Sequence, residues 1–378
     1  MRIIDRYLLR QFVQTFLICY FSLTGVYVVF DVFTNLEAFL HCARGGQLLR
    51  LMGWYYGFQS IFFFDRTCSL LVLMSAMFTV AWIQRHNEMT ALMAAGISRI
   101  RIVAPVLVAG VVITLAAAVN RETIIPRFKD ELAQRPGDLQ GNATDEAPFL
   151  RDYETDVILR GRAAYIYQRR IEKPDFLLPQ SLGQYGNHLV ADSAYYQPPS
   201  GDRPGGYLLD GVQDPKSLAG KPSLVLEGRP VVITPRDAAG WLGPQQCFVA
   251  SDVTFDQLTG GRAFRAFGST VEMVRALRNR AMEYGADLRV TIHARLVQPL
   301  LDLTLLLLGL PLVVSRESRN VFLAIGLGMG VVALFLSLVI GCQQLGASGL
   351  VGPALAAWAP LMICVPAAVG TAETMWQR

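Results

Sequence analysis

Trp82-Ile-Gln-Arg-His-Asn-Glu-Met-Thr-Ala-Leu-Met-Ala-Ala-Gly-Ile-Ser98 is the stretch on which the reading of this chain turns. It lies between two apolar runs, Thr67–Ile83 and Ile102–Val119, each long enough to enter a bilayer. Its own composition differs from both. Arg85, His86 and Glu88 come first, a helix-forming Met/Ala/Leu run follows, and Gly96 is a stop. A short helix held at a membrane face by a span on either side is a lever: whatever pushes on it moves both spans. On spacing alone, two readings stand. It is an ordinary amphipathic loop helix, or it is a docking helix for a cytoplasmic motor. In the second reading Glu88 is an exposed anchor, and Ala91, Ala94 and Ala95 form a small-residue face that permits close approach.

The flanking runs are part of a wider pattern. Hydrophobic residues make up 52% of the 378 and charged residues only 17%, a balance that with several 18-residue apolar segments means an integral membrane protein. The net charge of +4 is too small to suggest a nucleic-acid partner, and basic residues that set membrane orientation account for it. Arg2, Asp5, Arg6 and Arg10 precede a run too long for a signal-peptide core, so the N-terminal segment is expected to be retained. Cysteines show no C-x-x-C spacing. Cys19, Cys68, Cys342 and Cys364 read as small apolar residues, while Cys42 and Cys247 could both face an oxidising compartment and pair.

The expected spans are Phe12–Phe33, Thr67–Ile83, Ile102–Val119, Leu296–Val314, Val321–Cys342 and Pro353–Gly370. Leu36–Gly53 reads as a short connection, and Trp54–Phe64 as an aromatic belt at the interface. Three domains follow: 1–120 with three spans and a coupling helix at 84–97, 121–268, and 269–378 with a linker helix and three more spans. The middle segment is polar, rich in Gly and Pro, and holds every lysine. Its β-branched or alternating runs Asp156–Tyr167, Gly186–Tyr196, Ser223–Thr234 and Gln246–Phe255 are separated by turn signals, which predicts an all-β domain, sandwich or jelly roll. Ser269 or Thr270 is expected to cap the linker helix, with Val271, Val274 and Leu277 on its apolar face and Tyr284-Gly285 closing it. Six spans place both termini on one side. Arg2, Arg6, Arg10, Arg85, Arg99, Arg101, Arg316, Arg319 and Arg378, against only Arg44 and Arg50 in the short loops opposite, make that side cytoplasmic by the positive-inside rule, with the β domain outside.

No phosphate-cradling G-x-x-x-x-G-K-[ST], no H-E-x-x-H and no G-x-S-x-G is present, so the reading is of a non-enzymatic subunit without metal or cofactor, and any ATP is hydrolysed elsewhere. Two rival classes stand at this point: a permease-like subunit of an ATP-linked envelope system (lipoprotein release or mechanotransmission), and a motor-independent secondary transporter. Such lipoprotein and mechanical subunits usually place the large domain after one span, and here three precede it. The transporter should show paired broken helices, and the broken stretch Pro299–Pro311 has no partner in the first half.

The run Glu88–Ser98 resembles the cytoplasmic coupling segment of the lipopolysaccharide-export permeases, the LptF/LptG (YjgP/YjgQ) family. The ending Pro353-Ala-Leu-Ala-Ala-Trp-Ala-Pro360, the opening Asp5-Arg-Tyr7 and the stretch Pro299–Pro311 resemble that family too; Met93 departs from it, where a basic residue is frequent. The resemblance implies a jelly roll for the β domain and an inner-membrane location. It implies a second permease of the family, or a second copy, as partner, a dimeric cytoplasmic ABC ATPase, and periplasmic jelly-roll proteins that receive the lipid. It carries over Glu88 as an ATPase contact and Gly96 as the break before the third span. Extracting a lipid with several acyl chains costs roughly 0.8 kcal/mol per exposed CH₂, so a motor and a sheltered apolar path are both required. The inward face of the β domain is expected to supply shelter if it is apolar and open. Arg275, Arg278, Arg280, Arg289 and Arg295 are then candidates for the lipid's phosphates, or for ordinary anionic lipids. Asp31, Arg66 and Asp302 are candidates for lining the headgroup end of a membrane cavity, or for structural pairs such as Asp65 or Asp31 with Arg66.

Overall fold

The computed structural model describes residues 3–376 except 43–47, 135, 137–143, 147–148, 166–167, 183, 185, 201–202, 217, 219, 227, 239, 260–261, 280, 283 and 315–320. Among the described residues, six helices are long and apolar enough to cross a membrane. They are α1 (Ile3–Cys42), α2 (Leu48–Arg85), then, after the short α3 (Glu88–Ala94), α4 (Arg99–Val119), and later α10 (Ala286–Val314), α11 (Val321–Ala347) and α12 (Pro353–Trp376). Between α4 and α10 come the helical turns α5 (Ile125–Arg127) and α6 (Lys129–Leu132), an all-β region, and the short helices α7 (Phe255–Leu258), α8 (Arg262–Phe267) and α9 (Thr270–Arg278). Helices suit the apolar runs because in hydrocarbon every backbone group must be satisfied within its own segment.

The chain divides into two compact units. One holds residues 1–36, 52–128 and 285–378; the other holds 37–51 and 129–284. In the first, α2 is the central post: 61% of its most apolar window is buried, against 6% for α1, so α2 is far more enclosed than α1. Leu71, Leu73 and Met77 of α2 meet Ile102 and Val106 of α4 and Leu301, Leu305 and Leu310 of α10 in one core. Glycines set the spacing. A Cβ at Gly110 would lie 2.8 Å from Leu306, and one at Gly309 would lie 2.6 Å from Leu73. Small residues at these two points let helix backbones approach where lipid supplies no hydrophobic drive to association.

The second unit is built on one antiparallel sheet. Its strands are β1 (Thr144–Glu146), β2 (Leu150–Arg151), β3 (Ile158–Leu159), β4 (Ala163–Tyr165), β5 (Arg170–Glu172), β6 (Asp175–Leu177), β7 (His188–Gln197), β8 (Gly206–Asp214), β9 (Leu224–Leu226), β10 (Arg229–Ile233) and β11 (Gln246–Ala250). The order is β1-β4-β5-β7-β8-β11-β10-β9. At β7 the sheet branches: its outer half pairs with β5 through Glu172↔Ser193, and its first half with β6 through Phe176↔Leu189, and β6 carries β3 and β2 as a second wing. Lys173-Pro174 is the bend between the wings, with Lys173 at φ +45°. The inward face is apolar and filled: Phe176, Tyr207, Leu209, Ala194, Ile171 and Val249 are at most 1% exposed. A smaller cluster, Phe248 with Ala238 and Leu242, lies on the opposite face, as the alternation of Cys247 and Phe248 along β11 requires.

Six apolar helices with an all-β insertion between the third and fourth are thus as expected. Several boundaries are not. The expected connection Leu36–Gly53 and the belt Trp54–Phe64 lie mostly within α1 and α2, which run 40 and 38 residues. Hydropathy marks where the apolar run ends, and a helix continues past that point when no breaker stops it. Strand β8 went unread, because Gly211 and the acids around it resemble turn residues; Gly211 sits at φ +69° against Asp192 of β7, where a Cβ would clash. Helix α9 starts at Ser269 as expected, with a capping box to Glu272, but it ends at Arg278 rather than at Tyr284. Its buried face is Met273 and Ala276, and Val271 is 57% exposed.

Candidate functional site

Helix α3 is bounded at both ends and packed on one side. Asn87 enters it in the left-handed region at φ +57°, and Gly96 leaves it at φ +81°. The Gly96 N–H donates to Met93 O and the Ile97 N–H to Leu92 O, the paired bonds of a Schellman stop, which needs a residue free of Cβ strain at position 96. Met89 is buried, and Leu92, Met93 and Ile97 pack on the core of the first unit. Thr90, Ala91, Ala94, Ala95 and Gly96 are left exposed as a small-residue face, flanked by exposed Arg85 and Ser98. Glu88 is partly buried rather than free: the Tyr7 hydroxyl donates to its carboxylate oxygens at 3.2 and 3.3 Å, tying α3 to the first turns of α1. Arg101 reaches Asp5 at 4.0 Å. Met93 accepts a hydrogen bond from Arg99 Nε at 3.2 Å, so a guanidinium from α4 stands beside it. Displacing α3 therefore loads α1, α2 and α4 together.

Polar residues of the first unit gather about a second point. Arg121 grips Asp65 with Nε 3.0 Å from both carboxylate oxygens and a terminal nitrogen 3.0 Å from one; the side chains are 16% and 6% exposed. Arg121 lies in a π-helical turn, Asn120–Ile124, that continues α4, and Asn120 donates to Ile61 O. Asp65 thus pairs with Arg121, not with Arg66. Neighbours in a helix point about 100° apart, so the sequence-adjacent pair cannot meet. Arg66 is exposed, with its guanidinium 5.1 Å over the Phe62 ring. Arg295 of α10 lies within electrostatic reach of Arg121, Glu122, Asp65 and Arg66. One turn or two further along α10, Asp302 accepts from Ser69 Oγ at 2.6 Å and Gln298 Nε2 at 2.8 Å. Asp31 is separate from this group: its carboxylate accepts from the Tyr56 hydroxyl at 2.8 Å.

Arg66, Arg295 and Asp302 are therefore brought to one region, and Asp31 has its own tyrosine partner. The other arginines divide. Arg289 is exposed on α10 of the first unit, whereas Arg275 and Arg278 are exposed on α9 of the second. Arg280 lies outside the described residues, as does the side chain of Cys42; Cys247 is a free, buried thiol. Sequence reasoning missed Arg121, Ser69, Gln298 and Tyr56. The polar triplet Asn120-Arg121-Glu122 ending a span was the available signal for the first. Charges held this way in a membrane-spanning unit must pair or line a wet path, and guanidinium forks suit phosphate.

The sequence model of the lipopolysaccharide export system permease LptF/LptG matches residues 6–178 and 250–373. The chain belongs to that family. It is accordingly a lipopolysaccharide export permease in general terms: a multi-pass inner-membrane subunit of the Lpt ABC system, itself not an enzyme. The match covers both helical halves and strands β1–β6, and it skips 179–249, which holds β7–β10 and all but the last residue of β11. A search of curated proteins returns no match.

Proposed function

We propose that the permease draws lipopolysaccharide from the outer leaflet of the inner membrane and passes it to a periplasmic jelly-roll bridge, driven by a dimeric cytoplasmic ATPase docked on α3. The observation that carries this reading is the tether of α3. Its exposed Ala91, Ala94 and Ala95 face offers close approach, while Tyr7 holds Glu88 and links the lever to α1. A push there moves three membrane helices instead of one loop. In this reading both termini and residues 84–97 are cytoplasmic, and the β domain, 121–268, is periplasmic. Arg85, Gly96 and Ser98 bound the docking surface. The permease pairs with a second member of its family or with a second copy of itself. Asp31, Arg66, Arg289, Arg295 and Asp302 line the headgroup end of the membrane path, and Arg275, Arg278 and Arg280 serve the lipid's phosphates beyond it.

Co-expression with the neighbouring ATPase and pull-down test the docking. Glu88→Ala combined with Ala91→Trp should strip the ATPase from the purified complex and leave the permease pair intact. Full retention of the ATPase by that variant would remove the proposed motor contact. Impermeant thiol labelling of single cysteines at 91 and at 229 reads orientation, and labelling of both from the same side of the membrane ends the reading.

A further inference from the structure

Within the β unit, at the margin of the filled core to which Phe255 belongs, lies a pocket of about 390 Å³ whose chemistry α3 and the membrane cluster do not use. Its base is apolar: Phe255 on α7, 2% exposed, with Phe264 of α8, Pro198 and Ala276. Its rim carries Lys129, Arg169 and Arg275 against two carboxylates, Asp256 and Glu272. Both acids are already engaged. Lys129 Nζ lies 2.6 Å from Asp256, and Glu272 accepts from the backbone N–H of Ser269 as the closing half of the α9 cap. Arg169 and Arg275 have no ion-pair partner among the described residues, so the mouth is left cationic. Arg169 is held in the left-handed region at φ +47°, its carbonyl accepting from the Tyr196 N–H. A non-glycine residue kept there is a local strain that the surroundings must enforce. Tyr196 supplies a half-buried ring to the same lining as Arg169.

We infer that this pocket seats the phosphorylated sugar headgroup of the exported lipid while its acyl chains are carried by the β unit. Forked guanidiniums match the oxygens of a phosphate, and an apolar, aromatic floor matches the C–H face of a sugar ring. The volume suits a headgroup, not several acyl chains. A charged headgroup cannot follow acyl chains into a desolvated apolar interior, so it needs a seat outside that interior but on the same unit. The inference rests on the export reading, and the test separates the two.

The full permease, purified with its co-expressed partners in nanodiscs containing lipopolysaccharide, carries benzoylphenylalanine at Phe264 or, as a transport control, at Phe33 on α1. Illumination should crosslink the lipid from both positions. Arg169→Ala with Arg275→Ala should cut labelling from 264 by about ten-fold or more, with 33 unchanged, because each lost charge-assisted contact weakens binding by about that factor. Arg169→Lys with Arg275→Lys keeps the charge but loses the fork, and should restore only part of the signal. Lipid stripped of its phosphates should label 33 and not 264. Labelling from 264 that ignores the double alanine variant or the loss of phosphate overturns the pocket and leaves export standing. Absent labelling at 264, with inorganic phosphate protecting Arg169 from phenylglyoxal, assigns the pocket to a free anion and also overturns it. No labelling from either position takes down the export reading and the pocket together.

Discussion

Arg121→Met strips Asp65 of its forked partner inside the membrane-spanning unit. Three nitrogen–oxygen contacts at 3.0 Å are lost, and a carboxylate only 6% exposed is left without its counter-charge. Removing one member of a buried pair typically costs about 3–5 kcal/mol, or about two to four orders of magnitude in the folding equilibrium. Most of that is the penalty on the orphaned charge, not the worth of the pair. Asp65→Leu with Arg121→Met replaces the pair by apolar groups of similar size and should return to within about 1 kcal/mol of the parent. Unfolding by dodecyl sulfate in mixed micelles, followed by tryptophan fluorescence, gives the three stabilities. Equal losses in the single and double variants would falsify the argument, as would a single-variant loss below about 1 kcal/mol. If the guanidinium also meets the lipid headgroup, the double variant should fold and yet fail to support export.

Gly96→Ala meets no neighbour within 4 Å, so its effect is backbone strain alone at φ +81°, worth about 1–2 kcal/mol. It should fray α3 and weaken ATPase co-purification more than it lowers the melting temperature; an unchanged pull-down would count against the Schellman stop as a working part. Burial pushes the Cys247 thiol up to about 12. Native protein at pH 8 should resist maleimide at this position and react fully once denatured, and rapid native labelling would mean the sheet opens readily there. Burial pulls the Lys129 ammonium down, but the hydrogen bond and charge of Asp256 outweigh it and leave it raised above 10.5. A raised cation stabilises the fold below its ordinary value and loses that contribution as pH climbs through the raised one. The pair is partly exposed, so the step is small, about 0–1 kcal/mol. The stability difference between the parent and Lys129→Gln should hold up to about pH 10.5 and fall away only above it; a difference that vanishes already at pH 7–9 would contradict it.

The six helices were legible because each apolar run exceeds what a soluble core needs and no more than one charged residue interrupts any of them. The lever was legible for the opposite reason, a polar and small-residue segment wedged between two such runs. Helix ends were not: Glu37–Cys42 and Leu48–Gly53 are helical by propensity, which hydropathy does not sense. The Asp65–Arg121 pair was invisible because its members are 56 residues apart and lie on different helices. Likewise the tie from Tyr7 to Glu88 spans 81 residues, so Glu88 read as an exposed anchor when its carboxylate is held. In α9, Val271 and Val274 suggested an apolar face by spacing, but Met273 and Ala276 won the buried side.

The packed inward face of the sheet has a consequence for traffic. On the proposed export reading, a lipid arriving at Phe176, Tyr207 and Leu209 finds the seats taken by the protein's own side chains. Trading one apolar neighbour for another changes little in hydrophobic terms, so on that reading the toll is mechanical: those side chains must swing aside before cargo can pass. A path stoppered by its own walls would rest shut, and cargo would cross it in discrete strokes, with no idle drip between them.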